Sequence, residues 1–264
     1  MEKLEHIIRE ITAADAEAAS LAKARWDSVA KPLNSLGVLE QDLIRIAGIR
    51  KTPRFSIGKK AIVVMCADNG VVAEGVTQTG QEVTAIVAEH MGERTSCVCR
   101  MAAQAGADVI PVDIGIAGEV SSPGILRRKV APGTRNFCKE PAMTYSETVL
   151  ALETGISLAG EMKEQGYDLL GSGEMGIGNT TTSSAVLSVL LNQPPSRVTG
   201  RGAGLDTPSY RRKIAVIEEG IRLRKPNPED GIDVLSKVGG LDLAGLAGLY
   251  IGCAYHRIPA VLDG

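Results

Sequence analysis

The chain has 264 residues, enough to bury a large core and within the range of single α/β domains. Its 29 basic and 31 acidic residues nearly cancel, which argues against a nucleic-acid partner and for a small molecule. No apolar stretch approaches the length of a membrane span, and the charged, amphipathic start MEKLEHIIREI is unlike a signal peptide, so a cytoplasmic protein with no membrane partner is expected.

Residues 1–52 read as a small helical N-terminal subdomain around the punctuated segment KPLNSLGVLE (31–40), with Trp26 packed on a helix. Pro53 breaks the pattern, and residues 53–264 read as an α/β domain. AIVVMC (61–66) is a short continuous apolar run of the kind found in a strand buried on both faces, ending at the turn Asp68-Asn69-Gly70. Thr79 and Glu82 have capping-box spacing for a helix with Val83, Ile86, Val87, His90 and Met91 on its apolar face. DVIPVDIG (108–115) predicts the next strand. MTYSETVLALETGISLAGEMKEQG (143–166) predicts a long helix, with Thr144 and Glu147 as a second capping box. YDLLG (167–171) is a strand, and TTTSSAVLSVLL and TPSYRRKIAVIEEGIRL are helices. LDLAGLAGLYIGCAYHR makes a glycine-rich, tightly packed helix before a last strand at IPAVLDG (258–264). Strands alternating with helices imply parallel crossovers, hence an α/β sheet with helices on both faces.

Cys66, Cys97, Cys99, Cys138 and Cys253 are an odd number without a repeated CxxC, and read as buried, reduced thiols. Cys97 and Cys99, two apart on a helix, point to opposite sides and make a poor metal pair. His6, His90 and His256 are scattered over predicted helices and read as structural or surface residues. No metal site is expected.

In open parallel sheets ligands bind beyond the carboxyl ends of the strands. Asp68, Asp113, Glu174 and Asp263 stand at those ends, so several acids are expected to rim one crevice. The segment GSGEMGIGNTTTSSAV (171–186) joins a strand to a helix. There the backbone N–H groups of Gly176, Ile177, Gly178, Asn179 and Thr180 are placed to wrap a phosphate at a helix N-terminus. Gly171, Gly173 and Gly176 also spell GxGxxG. A dinucleotide site wants that motif after the first strand with an acid about twenty residues on, where this chain has Pro194-Pro195. A Walker loop needs a lysine that is absent. A second stretch, GRGAGLD (200–206), leads into a helix carrying Arg211, Arg212 and Lys213, suggesting a phosphate held from two sides. Glycines that merely end helices and let elements pack closely are the alternative, but two loops of this density favour a bound ligand.

Glu174 beside a phosphate is repulsive unless the ligand also offers hydroxyls or positive charge. A ribose phosphate reacting at its anomeric carbon offers both, through donors for a carboxylate and an oxocarbenium-like transition state.

The stretches GSGEMGIGNTTTSSAV, GRGAGLD, VGGLDLAGLAG and IPAVLDG, with KPLNSLGVLE and ADNGVVAEGV…GQEVTA upstream, closely resemble the nicotinate-nucleotide:dimethylbenzimidazole phosphoribosyltransferases of cobalamin nucleotide-loop synthesis. The match runs in order from about residue 30 to the end. The resemblance implies a Rossmann-like α/β fold, a homodimer and transfer of 5-phosphoribosyl from nicotinate mononucleotide to a lower-ligand base, with inversion at the anomeric carbon and no cofactor. Carried over by position, it makes Gly176, Ile177, Gly178, Asn179, Thr180, Gly202 and Lys213 the phosphate and ribose surround. Glu174 becomes the catalytic carboxylate, Gln81 and Thr77 the base-binding residues, and Asp68 and Asp263 the rim carboxylates. Plain helix capping is the competing account of Gln81 and Glu82.

The chain departs from the family pattern in several places. TQTGQEVT (77–84) stands where SAYPQEVT is common, so the acceptor could be another benzimidazole, a purine or a phenol. Asn69 stands where histidine is common, and Leu33-Asn34 where Pro-Gly is usual. Family members continue past the LDG of IPAVLDG to a glutamate in a Gly-Glu-Gly-type segment that serves as general base. Without that segment the chain reads as a fragment, half of a split enzyme or a non-catalytic nucleotide-binding form, with Glu174 a candidate substitute base. A nicotinamide-dependent oxidoreductase is disfavoured by the late position of its glycine motif.

Overall fold

Three helices, α1 (Glu2–Glu10), α2 (Ala16–Asp27) and α3 (Val38–Arg50), precede the first strand in the computed structural model, which describes residues 2–263. The punctuated segment between α2 and α3 is closed by a buried ion pair, Lys31 to Glu40 at 2.8 Å. Glu40 also accepts a hydrogen bond from the Leu36 N–H at 3.0 Å. The lysine and these bonds hold the Glu40 carboxyl below the usual carboxylate range. Trp26 is half-buried, with the Lys31 ammonium 5.7 Å from its ring centre.

The sheet is built from β1 (Lys60–Ala67), β2 (Ala107–Gly115), β3 (Leu126–Arg127), β4 (Leu169–Met175) and β5 (Ala260–Val261). All pairings are parallel, in the spatial order β3-β2-β1-β4-β5. The chain leaves β1 in one direction toward β2 and later returns to its other side with β4. The topological switch point, where such sheets bind ligands, therefore lies between the carboxyl ends of β1 and β4.

Alternation along β1 explains both apolar layers. Val63 and Met65 point into one core, Val64 and Cys66 into the other. The first core is closed by α6 (Tyr145–Glu164) and α11 (Leu241–His256), the second by α4 (Glu82–Gly92) and α5 (Cys97–Gln104). The α/β expectation with both faces carrying helices holds. α6 and α11 approach so closely that a Cβ on Gly248 of α11 would lie 2.7 Å from the Leu152 carbonyl carbon and one on Gly252 2.7 Å from the Ala159 Cβ, which accounts for glycine at these places in α11. The Thr144–Glu147 capping box at the start of α6 is formed on both sides.

Several local expectations are corrected. Thr79 does not cap α4. Its carbonyl accepts from the Thr77 hydroxyl at 2.8 Å, and the helix starts at Glu82 after Gln81. The buried face of α4 is Thr84, Ala88 and Met91, while Ile86 and His90 are exposed, so the helix packs on the stripe at i, i+4 and i+7 from Thr84 instead of the one through Ile86 and His90. IPAVLDG contributes only the two-residue β5. β3, α8 (Pro195–Val198) and α10 (Gly231–Val238) lie in segments to which the sequence pattern assigned no element. Between α8 and α10, α9 (Thr207–Arg224) follows the second glycine stretch, and α7 (Asn179–Leu190) follows the first. Cys97 is exposed and Cys138 half-buried rather than buried, whereas Cys66, Cys99 and Cys253 are buried. No helix among the described residues is long and apolar enough to cross a membrane.

Candidate active site

β4 runs further than YDLLG suggests. Gly171 and Gly173 are residues of the strand, paired with Ile62 and Val64 of β1, so the GxGxxG spelling does not describe a loop. The loop is the three-residue turn Gly176-Ile177-Gly178, and Gly178, at φ 94°, caps α7. Only glycine suits this backbone. A Cβ on Gly178 would also come within 2.8 Å of the Val72 side chain, and one on Gly176 within 2.6 Å of Asp242 Oδ2.

Much of the turn's hydrogen-bonding capacity is used internally. The Ile177 N–H donates to Thr84 Oγ1 at 3.1 Å, the Asn179 N–H to the Gly176 carbonyl at 2.9 Å and the Thr180 N–H to Asn179 Oδ1 at 2.7 Å. These three N–H groups therefore fix the turn instead of pointing at a ligand. The Asn179 amide donates to Glu174 Oε2, which ties the start of α7 to the end of β4.

The cationic part of the site is Lys213. Of the three basic residues that open α9, Arg211 and Arg212 are exposed, and Lys213 alone turns inward and is fully buried. Its ammonium donates to Thr180 Oγ1 at 2.7 Å and to the Gly200 carbonyl at 3.2 Å. Among the described residues it forms no ion pair with a carboxylate. Burial pushes its pKa down to about 8. Gly202, at φ 57°, sits directly over this pair, its Cβ position 2.9 Å from Thr180 Oγ1 and 3.5 Å from Lys213 Nζ. A cavity of about 240 Å³ opens here, lined by Thr77, Glu174, Gly178, Thr180 and Gly202 among others. The Gln78 amide donates to the Gly204 carbonyl at 2.9 Å, joining the 77–79 loop to the second glycine loop at its edge. Gln81 instead turns its amide to the Asn69 carbonyl at 3.1 Å.

The acids divide into two groups. Asp68 Oδ2 accepts from the Ala117 N–H at 2.8 Å. Asp113 accepts from the Ile116 N–H at 2.9 Å and faces Lys129 at 3.4 Å. Both are buried and brace the loop after β2, so neither lines the cavity as the strand-end argument predicts. Asp263 is locked by its backbone, which exchanges hydrogen bonds with Ser172 Oγ at 2.7 and 2.9 Å. Its carboxylate, together with Asp242, faces Glu174. Burial first, then these two charges, lift the Glu174 carboxyl to about 7. Asp242, in the first turn of α11, has no counterpart among the sequence-derived candidates. Its only signal is an acid inside an otherwise apolar, glycine-rich helix. Glu174 also stands at the end of a second, apolar hollow of about 550 Å³ along the sheet face, which includes Ile62, Val64, Gly171 and Gly173.

A buried cation, a glycine turn and a raised carboxylate meet at the switch point of a parallel sheet. The family model described as "Phosphoribosyltransferase" matches residues 11–264. The chain belongs to this phosphoribosyltransferase family. Relatives include the nicotinate-nucleotide--dimethylbenzimidazole phosphoribosyltransferases of Clostridium tetani, 44% identical over all of this chain and 73% of that protein, and of Alkaliphilus metalliredigens, 46% identical over all of this chain and 76% of that protein. The crystal structure of CobT from Thermus thermophilus is similar with a TM-score of 0.88 and 38% identity, covering 94% of this chain and 74% of that one. The phosphoribosyltransferase thus spans about three quarters of the length of the curated relatives it matches. It is an enzyme of the pentosyltransferase kind. The nicotinamide oxidoreductase considered from the GxGxxG spelling is excluded by family membership and by the strand conformation of Gly171 and Gly173.

Proposed function

We propose that this phosphoribosyltransferase moves 5-phosphoribosyl from nicotinate mononucleotide to dimethylbenzimidazole or a related lower-ligand base, giving α-ribazole 5′-phosphate and nicotinate. The observation that carries the reading is Lys213. A fully buried ammonium that shares its hydrogen bonds with a threonine and a carbonyl, and forms no ion pair with a carboxylate among the described residues, is costly unless an anion arrives. A phosphate monoester seated against Lys213, Thr180 and Gly202 supplies that anion, and the turn Gly176, Ile177, Gly178 and Asn179 shapes the wall beside the ribose.

The chemistry then falls to Glu174, which lines the same cavity as Thr180 and Gly202. The pyridinium–ribose bond breaks with its electron pair returning to the nicotinate nitrogen, so the leaving group needs no proton. The lone pair of the acceptor's ring nitrogen forms the new bond to the anomeric carbon from the other face, which inverts the configuration. The acceptor's ring N–H proton passes to Glu174, whose carboxyl, held near 7, suits a base working at neutral pH. Negative charge from Asp242 and Asp263 around it also favours the cationic ring and the oxocarbenium character of the reacting sugar. Thr77 on the cavity wall and Gln81 behind it are the residues assigned to the base. The polar Thr77-Gln78-Thr79 loop gives the acceptor side a character that admits benzimidazoles, purines or phenols.

The same reading carries a homodimer, supported by the exposed apolar run Leu33, Leu36, Val38 and Leu39 beside α3, and the division of the chain into a helical part up to residue 52 and the α/β part after it. Incubating the protein with nicotinate mononucleotide releases nicotinate only when dimethylbenzimidazole is added, as read by chromatography. Nicotinate release at the same rate without an acceptor would identify a hydrolase instead.

A further inference from the structure

Beneath the Gly176–Gly178 turn lie two side chains that contribute nothing to the cavity wall. Asn69, just past the end of β1, and Asp242 are both fully buried. The Asn69 amide donates to Asp242 Oδ2 at 3.1 Å, and Asp242 Oδ1 accepts from the Leu243 N–H at 2.9 Å. Asn69 Oδ1 accepts from the Thr182 hydroxyl at 3.4 Å, and the Asn69 carbonyl takes the Gln81 amide. One asparagine therefore joins the entrance of α4, the first turns of α7 and α11, and the end of β1. The glycine turn rests on the pair. A Cβ on Gly176 would lie 2.6 Å from Asp242 Oδ2 and 3.0 Å from Asn69 Nδ2, and one on Gly178 would lie 3.2 Å from the Asn69 Cβ.

We propose that Asn69 and Asp242 are positioning residues of this phosphoribosyltransferase: they seat the Gly176–Gly178 turn, and the Asp242 carboxylate sets the charge of Glu174 without touching substrate. This rests on the assignment of Glu174 above. The argument is one of compensation. Among the described residues, the titratable groups that interact electrostatically with Asp242 include the Asp68 carboxyl and the Cys66 thiol from β1 and its end, and Glu174 from β4, with Asp263 acting on Glu174 from beyond β5. All are acids. Asparagine satisfies Asp242 with a neutral donor, so the negative charge of the pair is left uncancelled and bears on Glu174. A histidine at this position, unlike asparagine, could carry a positive charge toward Asp242. Burial, with the Asp68 charge behind it, lifts Asp242 itself to about 6 against the hydrogen bonds from Asn69 and Leu243.

The test is a carbon-13 NMR titration of protein labelled at the glutamate carboxyl carbon, with the Glu174 resonance assigned by its loss in Glu174→Gln. In Asp242→Asn the midpoint of Glu174 falls by about one pH unit or more, because a nearby negative charge has gone. Asn69 can turn its amide over to meet the new donor. Asn69→His lowers the midpoint in the same direction and serves alone if Asp242→Asn does not fold. The acid limb of the transfer rate moves with the midpoint in both. A Glu174 midpoint unchanged in the folded variants overturns the proposal, since a merely structural role would cost activity and leave the titration in place. A midpoint that moves in a protein showing no transfer upholds the pair and removes the functional reading instead.

Discussion

Lys213→Met lowers affinity for nicotinate mononucleotide by roughly 30-fold to several thousand-fold, the ~2–5 kcal/mol lost when one partner of a buried, hydrogen-bonded charge pair is removed. Titration calorimetry reads this directly. The same substitution raises the melting temperature of the ligand-free protein. A fall of the ammonium's pKa from 10.5 to about 8 corresponds to about 3 kcal/mol of folding free energy. Between those two values the unfolded chain holds a proton that the folded chain has released, so wild-type stability rises with pH across that window. Below about pH 8 the cost of the buried charge is present in full. The methionine variant has no such slope. Bound phosphate offsets the cost, so nicotinate mononucleotide raises the wild-type melting temperature more near neutral pH than near pH 10. An unchanged affinity in Lys213→Met would place the phosphate elsewhere.

Glu174→Gln lowers kcat by about 10²–10⁴-fold, the usual contribution of a positioned general base, with little change in the affinity for nicotinate mononucleotide. The wild-type rate should fall on the acid side with a midpoint near 7, because burial, Asp242 and Asp263 hold the carboxyl there. Above that value the carboxylate is free to accept the acceptor's proton, and below it the site is already protonated. The glutamine variant loses this limb. A kcat within a few-fold of wild type would mean that the proton goes to another group.

The layers of this fold were legible because the short apolar runs around 61–66 and 108–115 read as strands buried on both faces, and Thr144 with Glu147 reads as a capping box that the structure forms on both sides. Thr79 and Glu82 had the same spacing and did not cap, since Thr79 is held by Thr77 and the helix begins at Glu82. Spacing alone does not reveal such a competing turn. The reach of β4 through Gly171 and Gly173 was hidden for a related reason: glycine is a poor strand former, and only pairing with Ile62 and Val64 on β1 decides the conformation.

Among site residues, Lys213 could be singled out beside Arg211 and Arg212 only by the resemblance, because three consecutive cations point in three directions on a helix and the sequence does not say which turns in. Asp68 and Asp113 were placed at the correct strand ends. Their side chains bend back to satisfy the N–H groups of Ala117 and Ile116, a loop conformation that no pattern in the sequence records. Asp242 was invisible until α11 was docked against β1 and β4, since its partners Asn69 and Glu174 come from elements far away in the chain.

Proton NMR of the protein mixed with nicotinate mononucleotide and dimethylbenzimidazole tests the central claim most directly, because the anomeric proton reports donor, product and configuration together. The account predicts that the β-anomeric signal of the nucleotide decays while an α-anomeric signal and free nicotinate grow in equal amounts. Nucleotide that broadens on binding but persists, with no α-anomer formed, would contradict it.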